Sequence, residues 1–282
     1  MKSFRIFISS ILILLTFSLL RVSVCHASVS SQDRAYFPAV LMYHELKTTP
    51  LNEFDTTPEA FASQLDWLKD NGYATLSLEE FISYTKKGEG FPEKSVMITF
   101  DDGYSGIYYY AFPELKKRGM KAAFFITAST IGGVKGTSYP HITYEQLAEI
   151  AANENISIGS HTVSHSRLSE LSNDALKIDV AKSKQILENF TGIKISAIAY
   201  PEGYYNGDVI EAVKEAGYEI AFAVKDRGLF GHEACYSIPR IYTGLELAEN
   251  DNALFIECIR NYKAMPEYAF KERWKPIHHE TK

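Results

Sequence analysis

The sequence predicts an α/β fold, a distorted (β/α) barrel with about seven parallel strands, on three observations. Strand-like and helix-like stretches alternate from residue 37 to residue 262, which is the pattern of βα units around a parallel sheet. The 282 residues, 46% hydrophobic and 13% aromatic, can bury one large core of barrel size. Residues of the kinds catalysis uses stand directly after several of the strand-like runs, where such barrels carry their working groups.

The first segment lies outside this scheme. Lys2 and Arg5 precede an apolar run from Ile6 to Leu20, and Cys25-His26-Ala27 offers a small residue for signal peptidase. Residues 1–27 are therefore expected to be an export signal, leaving one domain over 28–282 that is secreted or held at the cell surface. Lipidation at Cys25 is disfavoured by the bulk of Val24, and a retained anchor by the shortness of the apolar run. Cleavage removes three of the 29 basic residues and none of the 35 acidic ones, leaving 26 against 35. Such a balance argues against nucleic acid as a partner. Cys235 and Cys258 remain in an oxidising setting and could pair, but two cysteines make no disulfide framework.

In order, Phe37–Tyr43 reads as a strand ending at His44-Glu45. Thr57-Pro58-Glu59 opens a helix with Phe61, Leu65 and Leu68 on one face, stopped by Gly72. Ser77-Leu-Glu-Glu80 is a capping box for a short helix. Ser95–Phe100, β-branched and apolar, is a buried strand, and Asp101-Asp102-Gly103 turns sharply from its end. A helix around Ser105–Arg118 follows, stopped by Gly119 and kinked at Pro113. Strands are then expected at Lys121–Thr127, Ile156–Ser160, Ser196–Tyr200, Tyr218–Val224 and Tyr236–Tyr242. Helices are expected from Thr143 to about Asn153 and over Ser172–Phe190, Asn206–Ala216 and Glu246–Tyr262. Residues 263–282 show no period.

Asp101 and Asp102 are delivered to the lip of one strand. Neighbouring strand side chains point to opposite sides, so the two carboxylates divide their labour, one binding metal and one handling a proton. His161 and His165, four apart just past another strand, can aim both imidazoles at one point if the loop takes a helical turn. With Asp102 they would form a three-ligand site with open positions. Two further strand ends carry Tyr43-His44-Glu45 and Ala199-Tyr200-Pro201-Glu202-Gly203. The tyrosines at 104, 108–110, 204 and 205 follow two of these lips and could offer faces to a sugar. Consecutive residues on a helix cannot all face one groove, so part of the 108–110 group should pack inside.

Thr99-Phe-Asp101-Asp102-Gly103-Tyr104 together with Ser160-His161-Thr-Val-Ser-His165 resembles the first two motifs of the polysaccharide deacetylases, the fourth carbohydrate esterase family. Leu41-Met-Tyr-His44, Phe61-Ala-Ser-Gln-Leu65, Pro92-Glu-Lys-Ser-Val96, Ala199-Tyr-Pro201 and Ile238-Pro-Arg240 resemble it in order, over nearly the whole chain after the leader. The Leu-Met-Tyr-His44 phrase resembles the poly-N-acetylglucosamine deacetylase branch. The resemblance implies hydrolysis of N-acetyl groups on a hexosamine polymer by a monomeric enzyme. Its substrate would be poly-β-1,6-N-acetylglucosamine, with peptidoglycan or chitin oligomers as alternatives.

By the same resemblance, Asp102, His161 and His165 hold a divalent metal, zinc or else cobalt, nickel or iron. Asp101 is the general base, and His44 takes the place of the late histidine that protonates the leaving amine in most members; His232, His278 and His279 are the other candidates. The Tyr104 N–H serves the developing oxyanion, with Tyr200 and Glu202 nearby. Ala199 stands where many members have the arginine that orients the base, and Arg240 is expected to replace it. Glu202 stands where they have tyrosine, and could favour a cationic, partly deacetylated chain or do nothing. Two other classes compete. A glycosidase needs carboxyl groups on both sides of its substrate, whereas Asp101 and Asp102 are sequence neighbours. A glycan-binding protein without activity would have no need of the base, ligands and acid together.

Overall fold

The computed structural model describes residues 38–87, 90–133, 137–224, 234–244 and 252–261. The leader at 1–27, His232, His278, His279 and the 263–282 tail lie outside the described residues.

The elements follow the expected alternation. They are β1 (Ala39–Tyr43), α1 (Pro58–Asp70), β2 (Ala74–Thr75), α2 (Leu78–Lys87), β3 (Ser95–Phe100), α3 (Phe112–Arg118), β4 (Ala122–Ile126) and α4 (Tyr144–Ala151). β5 (Ile156–Ser160), α5 (Asn173–Thr191), β6 (Ala197–Ala199), α6 (Gly207–Glu215), β7 (Ile220–Phe222), β8 (Ile241–Tyr242) and α7 (Ala253–Asn261) complete them. Parallel pairing runs in the order β7-β6-β5-β4-β3-β1-β8, with the two-residue β2 added beside the start of β3. The sheet curls into a distorted barrel with helices outside.

Strand parity sorts the core into two layers. Leu41, Tyr43, Ile98, Phe100, Phe124, Ile158 and Ile198 face outward onto Phe61, Leu65, Leu115, Leu147, Val180 and Val209 of the helices. Burying each such side chain contributes about 1.5–3 kcal/mol. Val40, Met97, Phe125, Ala199 and Phe222 face inward, where α2 supplies Leu78, Phe81 and Ile82. Leu78 at the start of α2 donates its N–H to Ser157 Oγ near the start of β5, so α2 plugs the N-terminal end of the barrel. Working residues are left to the C-terminal end. Cys235 packs on the inner layer and Cys258 on the outer one, so the sheet stands between the two thiols.

Two local expectations are corrected. Pro113 does not kink a continuous helix: a π turn over Ile107–Ala111 precedes it, and the proline sits in the first turn of α3. There its missing N–H costs nothing, and the widened turn relieves the clash its ring would make with a preceding carbonyl. The expected strand over Tyr236–Tyr242 is interrupted, because Pro239 cannot donate to a ladder. Residues 234–236 form a 3₁₀ turn instead. Ile238 then bonds Ala221 and Ala223 beside β7, and after Arg240 the chain crosses to pair with β1 through Ile241 and Tyr242. This segment spans the seam between the two ends of the sheet. The helix expected from Glu246 is described from Ala253, and 245–251 lie outside the described residues.

Candidate active site

Beyond β3 the Asp101 N–H continues the ladder by donating to the Tyr43 carbonyl, which keeps the Asp101 side chain on the inward side with Met97 and Thr99. Asp102 then enters the left-handed region at φ 71 and Gly103 follows at φ 82. A short polar residue tolerates that region better than most, and glycine visits it freely. The turn separates the two carboxylates as the strand geometry requires.

Asp101 is buried and clamped by Arg240, whose two terminal nitrogens donate to Oδ1 at 2.7 Å and Oδ2 at 2.6 Å. Arg240 is itself 1% exposed and also donates to Thr99 Oγ1 and the Ala223 carbonyl. Burial by itself would push the Asp101 carboxyl up, but the Arg240 charge and hydrogen bonds, with His161 nearby, hold it below the usual range. Asp101 is thus an ionised, oriented carboxylate.

Asp102, His161 and His165 each offer a ligand atom, and these lie within 4.8 Å of one another. Asp102 Oδ1 is 3.4 Å from His161 Nε2 and 3.2 Å from His165 Nε2. His161 Nδ1 bonds the Ala199 carbonyl at 2.9 Å, which orients the ring and turns Nε2 to the shared point. Burial lowers the His161 pKa, favouring the neutral ring a metal needs. The bond to Asp102 raises that of His165, while the same imidazoles hold Asp102 well below the carboxylate range against the effect of burial. Two imidazoles and one carboxylate converging in this way fit a divalent cation.

The loop bearing the histidines is strained and pinned. Thr162 and His165 both take left-handed backbone, at φ 67 and 56, which costs on the order of 1–3 kcal/mol each. Thr162 Oγ1 accepts the His165 N–H at 3.0 Å, and Asp179 of α5 accepts the Val163 N–H and the Ser164 hydroxyl, each at 2.7 Å.

Asp101, Asp102, His161 and His165 line a cavity of about 520 Å³ together with His44, Tyr104 and Glu202. The His44 ring lies 5.4 Å from Phe54 and 6.1 Å from Tyr242, at the end of β1 and so beside the Asp101 end of the neighbouring β3. Tyr104 forms a bridge with His141 flanked by bonds from Ser105 N to Pro140 O and from Ile142 N to Gly103 O, a pattern that does not use the Tyr104 N–H. Glu202 is exposed at φ 52 and paired to Arg167 through Nε at 2.9 Å and a terminal nitrogen at 2.6 Å. Tyr200 is not in the cavity. Its neighbour Ala199 faces inward, so Tyr200 faces the helices, donating its hydroxyl to Tyr236 O and its N–H to Phe222 O.

Of the six tyrosines at 104, 108–110, 204 and 205, Tyr104 alone lines this cavity, while Tyr109 and Tyr110 line a side groove with Lys47 and Thr48. Several mouth residues had gone unnoticed in the sequence. Phe54, Tyr139 and Tyr242 give the wall its aromatic faces, and behind Tyr104 the His141 ring lies tilted at 4.7 Å from it. Phe54 and Tyr139 had no signal beyond aromatic content in unpatterned loops, and Tyr242 lay at the end of an expected strand.

A family profile described as "Polysaccharide deacetylase" matches residues 88–221. A protein named poly-beta-1,6-N-acetyl-D-glucosamine N-deacetylase from Staphylococcus epidermidis is 31% identical over 269 residues, spanning 86% of this chain and 93% of its own. The chain belongs to the polysaccharide deacetylase family. A Staphylococcus aureus protein of the same name is 30% identical over 74% of both chains. Among solved structures, the Streptococcus pyogenes deacetylase PplD in complex with acetate superimposes with a TM-score of 0.64 at 28% identity, over 72% of this chain and 91% of that one. The polysaccharide deacetylase assignment makes the protein a hydrolase of N-acetyl amide bonds.

Proposed function

We propose that the protein is an exported, metal-dependent deacetylase of poly-β-1,6-N-acetylglucosamine. The observation that carries the chemistry is the convergence of Asp101, clamped by Arg240, with the Asp102–His161–His165 triad and His44 on one cavity. The poly-N-acetylglucosamine name of the Staphylococcus relatives, each covered over most of its length, supports the polymer. Export rests on the leader read at residues 1–27.

Asp102, His161 and His165 would hold the ion, for which the donor set suits zinc. Such an ion, when bound, polarises a carbonyl and lowers the pKa of water. Asp101 accepts the proton of the attacking water, Arg240 keeping it ionised and aimed. The Tyr104 N–H faces charge developing on the acetyl oxygen. His44, which lines the same cavity from the end of β1, gives a proton to the departing amine, a role worth about 10²–10⁴ in rate. Phe54, Tyr139 and Tyr242 exclude water and present apolar faces to the sugar.

The test is acetate release by the mature protein from β-1,6-linked N-acetylglucosamine oligomers, chitin oligomers and peptidoglycan, before and after chelation, with Asp101→Asn alongside. Release from the β-1,6 oligomers that chelation abolishes and zinc restores is expected, and absent in the variant. Release only from peptidoglycan would move the substrate; none from any glycan would end the catalytic reading. Amino-terminal sequencing of protein from the culture medium checks cleavage after Ala27.

A further inference from the structure

We propose that Asp179, on α5 and outside every recognised motif, is a positioning residue that sets the metal affinity of the site through the histidine loop. The inference rests on the reading of Asp102, His161 and His165 as ligands. His161 is buried and held by the Ala199 carbonyl, so its orientation belongs to the barrel. His165 is different: its side chain is 38% exposed, its backbone is left-handed, and it follows a second left-handed residue at Thr162. Relaxation of that strained turn would carry His165 away from the shared point first.

Two successive turns of α5 oppose this. Ser183 Oγ lies 2.8 Å from Ser160 Oγ, which accepts the Thr162 N–H and so anchors the start of the loop. Asp179, four residues earlier and on the same helix face, takes the middle of the loop with both carboxylate oxygens. Oδ1 accepts the Val163 N–H and Oδ2 the Ser164 hydroxyl, each at 2.7 Å. Charge-assisted bonds of that length are the strong kind. Asp179 touches no ligand atom and acts through the backbone of 162–165. Its contribution is preorganisation: the two left-handed residues are held in place before the ion arrives, so binding does not have to order them.

The experiment is zinc affinity by chelator competition on the mature protein, together with the cobalt absorption spectrum, for wild type, Asp179→Ala, Asp179→Asn and Ser164→Ala. Asp179→Ala should raise the zinc Kd about 10–100-fold and alter the cobalt bands, with the thermal midpoint of the metal-free protein little changed. Asp179→Asn retains an acceptor for the Val163 N–H and a donor for Ser164, and should recover most of the affinity. Ser164→Ala removes one bond and should fall between, which keeps the proposal testable if Asp179→Ala does not fold. A Kd within twofold of wild type in Asp179→Ala or Ser164→Ala, or an Asp179→Asn as impaired as alanine, overturns the role of Asp179. If wild type binds no zinc, the ligand reading fails and takes this inference with it; if it binds zinc yet releases no acetate, only the proposed activity fails.

Discussion

Replacing Arg240 by methionine tests the heart of the site, because it removes a charge while roughly keeping volume. In the native protein the Arg240 side chain is fully buried, Asp101 is 3% exposed at its side chain, and two bonds of 2.7 and 2.6 Å join them. Breaking a buried pair by deleting one partner costs about 3–5 kcal/mol, since the remaining charge is left uncompensated. Asp101 can escape part of that cost by taking a proton, and this fixes the pH dependence. With Arg240 present its pKa is depressed, so the pair contributes stability above the unfolded value near 4 that is lost as pH falls through the folded value. Without Arg240, burial is the leading influence and raises the pKa, so a penalty is absent at low pH and grows as pH rises. The stability gap between wild type and Arg240→Met should therefore widen from under ~1 kcal/mol near pH 4 to about 3 kcal/mol or more at pH 7.5, read by urea unfolding. In parallel, the acid limb of kcat/KM should move to higher pH, with activity partly regained as pH is raised. A gap equal at both pH values, with an unmoved acid limb, would refute the reasoning.

Glu45 gives an opposite and separable effect. It is 2% exposed, and burial, only partly offset by the Leu46 and Gly106 N–H groups, raises its pKa to about 7. The folded protein therefore loses up to ~3 kcal/mol as pH rises from about 4.5 through 7. Glu45→Gln should match wild type at pH 4 and melt several degrees higher at pH 8, measured by calorimetry. Gly106→Ala should lower the melting temperature severely, because the new methyl would lie 1.9 Å from Glu45 Oε1 and 2.3 Å from the Leu46 carbonyl. His44→Asn should reduce kcat on the amide about 10²–10⁴-fold yet spare an acetyl ester with a phenolate leaving group, which departs without a proton. Equal losses on both substrates would remove His44 from the acid role.

The alternation of elements was legible because buried parallel strands read as apolar runs and the helices between them carry caps and glycine stops. Asp101, Asp102 and His161 were legible for a related reason: they stand directly after strand runs, so their place on the lip is set by local sequence, and His165 was read from its spacing to His161. Tyr200 could have been excluded by the same parity, since Ala199 and Tyr200 cannot both face inward. The two-residue β2 is too short for any period, and the π turn before Pro113 depends on how α3 packs. Phe54 and Tyr139 reach the mouth through loops, whose paths are held by Asp55, which accepts locally from Leu51 N and across the fold from the Tyr139 hydroxyl. Asp179 was hidden because its partners, a backbone N–H and a serine hydroxyl, lie 16 and 15 residues away.

The seam between β7 and β1 has a consequence for the order in which the chain becomes competent. Arg240 meets Asp101 across 139 residues of sequence, whereas Asp102 is joined by His161 and His165 from the middle of the chain. Contacts of such separation close late, after the loops between them have lost their freedom. The Asp102–His161–His165 cluster draws no member from beyond residue 165, whereas Asp101 without Arg240 lacks its counter-charge, and burying it would favour the protonated form. The segment that closes the seam is therefore also the one that keeps this carboxylate ionised, so on the proposed base role activity should depend on residues 238–242 being in place.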